Sequence, residues 1–365
     1  MSLSFVFLGL SITSSWGNGH ATTYRGLTRE LRRRGHEVWF LERDLKFYAD
    51  NRDLADPGYC LTRLYRSLDE LRILYARLVR DADFVVVGSY VPEGTQVARW
   101  VQQTARGATA FYDIDTPVTL AKLARGEHDY LNPTVIPGFD VYLSFTGGPT
   151  LGNLVRRHGA RRAEALYCSV DPELYEPCPG TPPRLDLGYL GTYSVDRQPA
   201  LDALLVEPAR RYSEGRFFVA GPQYPDSLAW PANIGRTPHL APSEHRGFYA
   251  SQRYTLNVTR RDMVEAGWSP SVRLFEAAAC GTPVLSDSWP GIEAFFEPGR
   301  EIRLVRTPGE VLEILQHLPE EERLVWAERA RTRVLREHTA SHRAETLEWI
   351  AQDVLAKRTR SSRIA

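Results

Sequence analysis

"GWSPSVRLFEAAACGTPVLSD", Gly267 to Asp287, reads as a short, well-bounded helix running into the buried strand "PVLS", Pro283 to Ser286. Ser269 before Pro270 is a helix-start signal, a capping residue followed by proline at the first helical position, and Gly281 suits the C-terminal cap. Such a helix leaves the amides of Ser271 and Val272 at an open N-terminus, an anion site suited to a diphosphate. Arg273 and Glu276 lie three apart and share a face, so the cation can meet phosphate while the carboxylate accepts hydrogen bonds from ribose hydroxyls. The competing reading is an intrahelical Arg273–Glu276 ion pair beside a core of Phe275, Ala277, Ala278 and Ala279.

Upstream of this segment short apolar runs alternate with amphipathic stretches, the pattern of a parallel sheet covered by helices. In the first half the predicted strands are Phe5–Leu8, Val38–Leu41, Phe84–Val87, Ala108–Tyr112 and Val141–Phe145, with helices over His20–Arg34, Arg63–Arg80 and Pro92–Arg106. A Pro-rich stretch, "DPELYEPCPGTPPR" from Asp171 to Arg184, breaks the alternation and reads as a linker. The pattern restarts with Leu187–Leu190, a helix near Ala200–Tyr212, Phe217–Ala220, Thr255–Val258 and Pro283–Ser286. Two Rossmann-like α/β domains follow: 1–170, a linker at 171–184, and 185–338. Ala344, Leu347, Ile350, Ala351 and Val354 form one helical stripe. We therefore expect a helix over 339–356 that crosses back to the first domain, ahead of a frayed basic tail at 357–365.

A chain of 365 residues exceeds what one hydrophobic core usually serves, in agreement with two domains. Lys plus Arg and Asp plus Glu both number 45, so no long-range field favours a phosphate polymer, and there is no strong nucleic-acid signal. The run Arg32, Arg33 and Arg34 reads as cations at a helix end. Cys60, Cys168, Cys178 and Cys280 show no paired metal-ligand spacing and read as reduced thiols. No apolar run approaches the roughly 20 residues that span a bilayer, and the opening Leu3–Leu10 lacks a positive leading region. The expected compartment is the cytoplasm.

In "YDIDTPVTL", Asp113 and Asp115 fall just after a strand, at the carboxyl edge where open α/β sheets bind ligands. They can serve as acceptor ligands or as a base; Asp115, followed by Thr116 and Pro117, can equally cap the next helix. No cluster of His, Asp and Glu demands a metal.

The run "FEAAACGTPVLSD" resembles the nucleotide-sugar segment of retaining GT-B glycosyltransferases, in which a glutamate on a helix is followed by "ACGTPV". Glu276 falls on the glutamate that such enzymes use for ribose. The larger family-4 group has another glutamate eight residues earlier, where this chain has Trp268; the pattern is similar to the spore-maturation-protein-like branch. "LGYLGTYSVDRQPAL" resembles the first strand and phosphate loop of the donor domain, which implies donor contacts at Gly191, Thr192 and Arg197. "FFVAGPQ" resembles the next strand-end loop, near the base, at Gly221 and Pro222. The opening "LGLSITSSWGNGHATTYRGL" is similar to the glycine loop and first helix of these proteins. That resemblance implies that Gly17, Asn18 and Gly19 pass close to the transferred sugar, with His20 facing an interdomain cleft. His20 can hydrogen-bond the sugar or take an acceptor proton, or simply cap its helix.

These readings converge on a GT-B architecture, two Rossmann-like domains facing a central cleft. The implied activity is transfer of a sugar, with retention, from a nucleotide diphosphate-sugar to a hydroxyl- or amine-bearing acceptor: a small molecule, a glycan or a macromolecule. No tightly bound cofactor and no metal are expected, since positive charge and helix-end amides stabilise the leaving diphosphate. The rivals are a GT-B-fold sugar-nucleotide epimerase, a non-catalytic nucleotide-sugar-binding protein, and a Rossmann oxidoreductase, the last disfavoured because "GNGHATT" lacks the third glycine of the dinucleotide fingerprint.

Overall fold

The computed structural model describes residues 2–180 and 182–364, with the side chains of 361–364 excepted. The chain divides into two compact units, Met1–Cys168 with Ala340–Ala365, and Ser169–Thr339. The first holds a seven-stranded sheet built from β1 (Ser4–Gly9), β2 (Glu37–Arg43), β3 (Leu61–Tyr65), β4 (Phe84–Gly88), β5 (Ala108–Asp113), β6 (Val141–Ser144) and β7 (Ala163–Ala165), in the order 3-2-1-4-5-6-7. The second holds a six-stranded sheet of β8 (Leu185–Leu190), β9 (Phe217–Ala220), β10 (Ile234–Thr237), β11 (Gln252–Asn257), β12 (Val284–Ser286) and β13 (Arg303–Leu304), in the order 10-9-8-11-12-13. Every pairing is parallel.

Parallel strands joined by helices are covered on both faces, which is why "FVVVG" of β4 is apolar and buried at every position. The four strands that the apolar pattern does not reveal, β3, β7, β10 and β13, are the two outer strands of each sheet. Their residues are largely exposed or half-buried, and a strand covered on fewer sides needs no continuous apolar run. The helix expected from Arg63 therefore starts later, at Leu68, where the Ser67 hydroxyl accepts from the Glu70 amide at 3.1 Å.

The C-terminal helix runs from Ala340 to Ile364, longer than expected. Its stripe of Ala344, Leu347, Ile350, Ala351 and Val354 is buried in the same core as Phe5, Phe7, Phe84 and Val86 of the first sheet. Side chains also fasten its last turns. Lys357 pairs with Asp353 at 2.8 Å, and Arg358 reaches Asp140 at 2.7 Å, so the backbone is helical where a frayed tail is expected. Ala365, the end of that expected tail, lies outside the described residues, as does Thr181 in the expected linker. Flanking Thr181, the Pro-rich stretch belongs to the second unit, where Arg246 donates to the carbonyls of Glu176 and Pro177, both at 3.0 Å. The arginine run closes its helix as anticipated: Arg33 pairs with Glu30 at 2.9 Å and Arg34 with Glu348 at 2.6 Å. Cys60, Cys168, Cys178 and Cys280 form no disulfide among the described residues.

Candidate functional site

Each sheet has a switch point, where successive connections leave in opposite directions and the carboxyl ends of two neighbouring strands open a crevice. In the second unit the switch lies between β8 and β11, and in the first between β1 and β4.

At the second unit's switch stands Arg273. Its Nε donates to the carbonyl of Leu190, the last residue of β8, and its Nη1 donates to Asn257 Oδ1, at the end of β11, at 2.7 Å. The guanidinium lies over the Tyr189 ring, 4.9 Å from its centroid, and the residue is 7% exposed. One cation thus ties the two switch strands together while its partners are all neutral. Arg197 is half-buried nearby; it donates to the Thr192 carbonyl at 2.6 Å, and its Nε is buried without a partner. Burial holds its pKa below the usual arginine value, and Arg273 and Arg260 push it the same way. Among the described residues neither Arg197 nor Arg273 has an ion-pair partner. Asp287, which feels Arg273, accepts instead from the Thr259 amide at 2.9 Å and hydroxyl at 2.8 Å.

The helix carrying Arg273 spans Val272–Ala279 and its N-cap is Ser271, two residues after the expected Ser269. Pro270 is therefore not the first helical residue. The shift arises because Gly267 and Trp268 turn through left-handed backbone, at φ 64° and 44°, and the Trp268 amide is held by the Pro290 carbonyl at 2.7 Å. The segment stays attached to the loop after β12 and the helix begins only beyond it. Ser271 and Val272 are then N-cap and first helical residue, and the Ser271 side chain makes no capping bond. The other end is as anticipated. Gly281, at φ 74°, donates to the Ala278 carbonyl at 3.0 Å and Thr282 to Ala277 at 2.9 Å, the paired bonds of a Schellman cap.

Glu276 is 3% exposed and does not pair with Arg273, which removes the reading of a solvated intrahelical ion pair. Its Oε2 accepts from the Tyr249 hydroxyl at 3.0 Å and lies 3.9 Å from His245 Nδ1. His245 Nε2 donates to the Leu240 carbonyl at 3.2 Å, and its Nδ1 lies 3.3 Å from the Tyr175 hydroxyl. Burial and the Glu276 charge raise the pKa of Tyr249 and Tyr175 well above the usual phenol value, so both hydroxyls remain donors. Tyr175, His245 and Tyr249 escaped the sequence reading, because a lone aromatic carries no spacing signal.

Gly191 and Gly221 meet back to back beside Arg197. A side chain at Gly221, whose φ is 147°, would fall 2.1 Å from the Gly191 carbonyl oxygen. The Gly191 amide is engaged by Ala220 at 2.8 Å and its carbonyl by the Tyr224 hydroxyl at 3.1 Å, while the Pro222 carbonyl accepts from Tyr193 at 3.0 Å. Gly191, Gly221 and Pro222 thus shape the loop, and of the expected donor contacts there Arg197 retains an unpartnered polar atom.

In the first unit, the loop after β1 carries Gly17, Asn18, Gly19 and His20. Gly17 takes a left-handed φ of 58°, and Gly19 is the N-cap of the helix His20–Arg33. Asn18 differs from expectation: it is 5% exposed, its amide donates to the carbonyls of Ser11 and Ser14, and its oxygen accepts from the His20 amide. It braces the loop and has no hydrogen left for a ligand. His20 is 8% exposed; Nε2 lies 3.4 Å from Asp115 Oδ2, and Nδ1 is buried without a partner. Asp115 sits at the N-cap of the helix Thr116–Ala124, but its side chain makes no capping bond.

Asp113 requires a correction. It is fully buried and accepts from the Tyr142 hydroxyl at 2.5 Å, the Thr119 hydroxyl at 2.8 Å and the Asp115 amide at 3.3 Å. Burial pushes its pKa up to about 6. With its oxygens engaged in the interior it supports the strand end and is not available to an acceptor. The residue that sequence reasoning missed here is Tyr90, just beyond β4. It holds a left-handed φ of 62°, a strained conformation for a tyrosine, with its ring 5.3 Å from His20 and 4.4 Å from Tyr130.

Among the described residues no group of three or more His, Cys, Asp or Glu side chains could hold a metal ion, and no helix is long and apolar enough to cross a membrane.

Residues 197–348 match the family described as glycosyl transferase-like. No curated protein sequence matches the chain significantly. Solved structures match over nearly the whole length. Sucrose-phosphate synthase from Thermosynechococcus elongatus superposes with a TM-score of 0.69 at 13% identity, covering 97% of this chain and 100% of the other. Anabaena HepE in complex with UDP and glucose gives 0.68 at 13% identity, covering 96% and 100%. An alpha-glucosyltransferase in complex with UDP-glucose and DNA containing an abasic site gives 0.69 at 12% identity, again covering 96% and 100%. The chain has the GT-B fold of these glycosyltransferases.

Proposed function

We propose that this protein is a glycosyltransferase whose second unit binds a nucleotide diphosphate-sugar and whose first unit supplies His20 and Asp115 to the sugar or its acceptor. One observation carries the reading: Arg273 and Arg197 stand at the switch point of the second sheet, and among the described residues neither has an ion-pair partner. A buried cation without an anion is costly, and a diphosphate lying against both side chains and the Ser271 and Val272 amides would supply that anion. Glu276, one helical turn from Arg273, is then positioned for ribose hydroxyls. The complexes of HepE with UDP and glucose and of the alpha-glucosyltransferase with UDP-glucose support a nucleotide-sugar donor in this fold. As the diphosphate leaves, the arginines and helix-end amides stabilise its charge without a metal. Retention of configuration is the stereochemical outcome we favour, on the resemblance of the Glu276 segment.

A thermal-shift screen of nucleoside diphosphates and their sugars tests the donor half. A ligand selective for the folded state at a hundred times its Kd stabilises by about 2.7 kcal/mol, and the shift should persist in EDTA. No shift with any nucleotide, or a shift only with added divalent metal, would overturn the donor site as drawn.

His20 is the candidate to touch the sugar or to act as base. Asp115 orients the imidazole by accepting from Nε2, which leaves the Nδ1 lone pair for a proton. Replacing His20 by Ala should lower turnover by about 10²–10⁴-fold if it handles a proton, with nucleotide affinity moving far less. Equal turnover in the variant and the wild type would assign His20 to helix capping alone.

A further inference from the structure

The segments 11–19 and 44–54, which follow β1 and β2, are laced together by polar contacts. Glu42 is wholly buried and accepts from the hydroxyls of Ser11 and Thr13 and the amides of Ile12 and Thr13. Asp53 accepts from the Ser15 amide and hydroxyl at 2.8 and 2.9 Å and from both Nη atoms of Arg25 at 2.8 and 2.9 Å. The Arg25 and Ser15 contacts hold the Asp53 carboxyl at about 2, against its burial. The Ser14 hydroxyl donates to the Asn51 carbonyl at 2.7 Å, and the Leu54 amide to that of Thr13 at 3.1 Å. These contacts join the two loops.

What the clamped loops turn outward is aromatic. Trp16 is 40% exposed and Phe47 57% exposed. Phe47 approaches the loop that carries Trp16: a side chain at Gly17 would lie 4.0 Å from the tip of the Phe47 ring. Phe47 also rests edge-on against the buried Tyr48, with ring centroids 5.2 Å apart. Both residues follow the carboxyl ends of strands, Trp16 on the loop that leads from β1 into His20 and Phe47 in the short helix Lys46–Ala49 after β2. Beside Phe47 the exposed ion pair of Lys46 and Asp50 provides polar groups.

Resting on the glycosyltransferase reading above, we propose that Trp16 and Phe47 form a stacking platform for a saccharide acceptor. A pyranose presents an apolar face of C–H groups and a rim of hydroxyls. Rigid rings suit the face, which loses little entropy on a surface already fixed, and Lys46 and Asp50 suit the rim. A lipid chain would call for a continuous apolar groove, and charged side chains beside Phe47 interrupt one.

The test uses the full chain with saturating nucleoside diphosphate and, as probes, the methyl glycosides of glucose, galactose, mannose, rhamnose and N-acetylglucosamine. Binding is read by saturation-transfer NMR. At least one glycoside should bind the wild type through its C–H face, and Trp16→Ala or Phe47→Ala should weaken it about tenfold or more. Trp16→Phe and Phe47→Tyr, which keep a ring, should stay within about threefold of the wild type, which separates stacking from a folding defect. The platform is refuted if no glycoside binds, if the alanine variants bind as the wild type does, or if Trp16 and Phe47 instead retain the protein on phosphatidylglycerol vesicles. Calorimetry with the nucleoside diphosphate is the separate control. Nucleotide binding without glycoside binding sinks the platform alone; ring-dependent glycoside binding without nucleotide binding sinks the donor site alone.

Discussion

Arg273→Ala should weaken binding of the nucleoside diphosphate about a hundredfold and leave affinity for the uncharged nucleoside within about threefold. Hydrogen bonds to a charged group are worth about 1.5–3 kcal/mol, and each 1.4 kcal/mol is about tenfold in affinity. The substitution also has a structural cost. Arg273 bridges the Leu190 carbonyl and Asn257 Oδ1, so its removal leaves both switch strands with an unpartnered acceptor. Arg273→Lys separates the two effects: it keeps the charge but loses the planar fork and its stacking on Tyr189, and should fall between the wild type and the alanine variant. Calorimetry gives the affinities, and urea unfolding shows how much of any loss is stability. If the alanine variant binds diphosphate and nucleoside as the wild type does, Arg273 is a brace between strands and no part of a donor site.

The interior of each sheet was legible in the sequence because central parallel strands must be apolar on both faces. "FVVV" and "FFVA" signal themselves, whereas edge strands such as Leu61–Tyr65 and Arg303–Leu304 are only partly covered and look like loops. The helix of Arg273 and Glu276 was legible for a similar reason, since Gly281 ends it and "FEAAA" fills it. Its starting register was not. That depends on the Pro290 carbonyl capturing the Trp268 amide, a contact between segments that no local pattern encodes.

The polar residues divide along the same line. Sequence brought Asp113 and Asp115 forward together because residues two apart at a strand end share a face, yet β5 ends at Asp113 and Asp115 already belongs to the turn into the helix Thr116–Ala124, so the strand's alternation no longer sets its direction. Asp113 points into the interior toward Tyr142 and Thr119, while Asp115, beyond the strand, reaches His20. Asn18 is a similar case. A polar residue between two glycines suggests a ligand contact, but a loop with buried amides and carbonyls must first satisfy itself, and Asn18 does that.

Glu276→Gln should weaken the nucleoside diphosphate by about ten- to a hundredfold, corresponding to 1.5–3 kcal/mol for hydrogen bonds to a charged acceptor. The amide is nearly isosteric, and its oxygen can still accept from Tyr249, so the fold should be retained. Stability is a second readout: if the carboxylate serves only its phenol partner, the substitution removes a buried charge and acts on unfolding, not on ligand affinity. The discriminating pair is the ribo- and 2′-deoxyribonucleoside diphosphate. A carboxylate that accepts from the 2′-hydroxyl makes the wild type prefer the ribonucleotide, and the glutamine variant should lose most of that preference. If only the 3′-hydroxyl is held, both nucleotides weaken in parallel in the variant, and the 3′-deoxy compound shows the preference instead. A well-folded variant with unchanged affinity for all three would leave Glu276 as the buried partner of Tyr249, and the diphosphate site of Arg273 would then have to stand without its ribose contact.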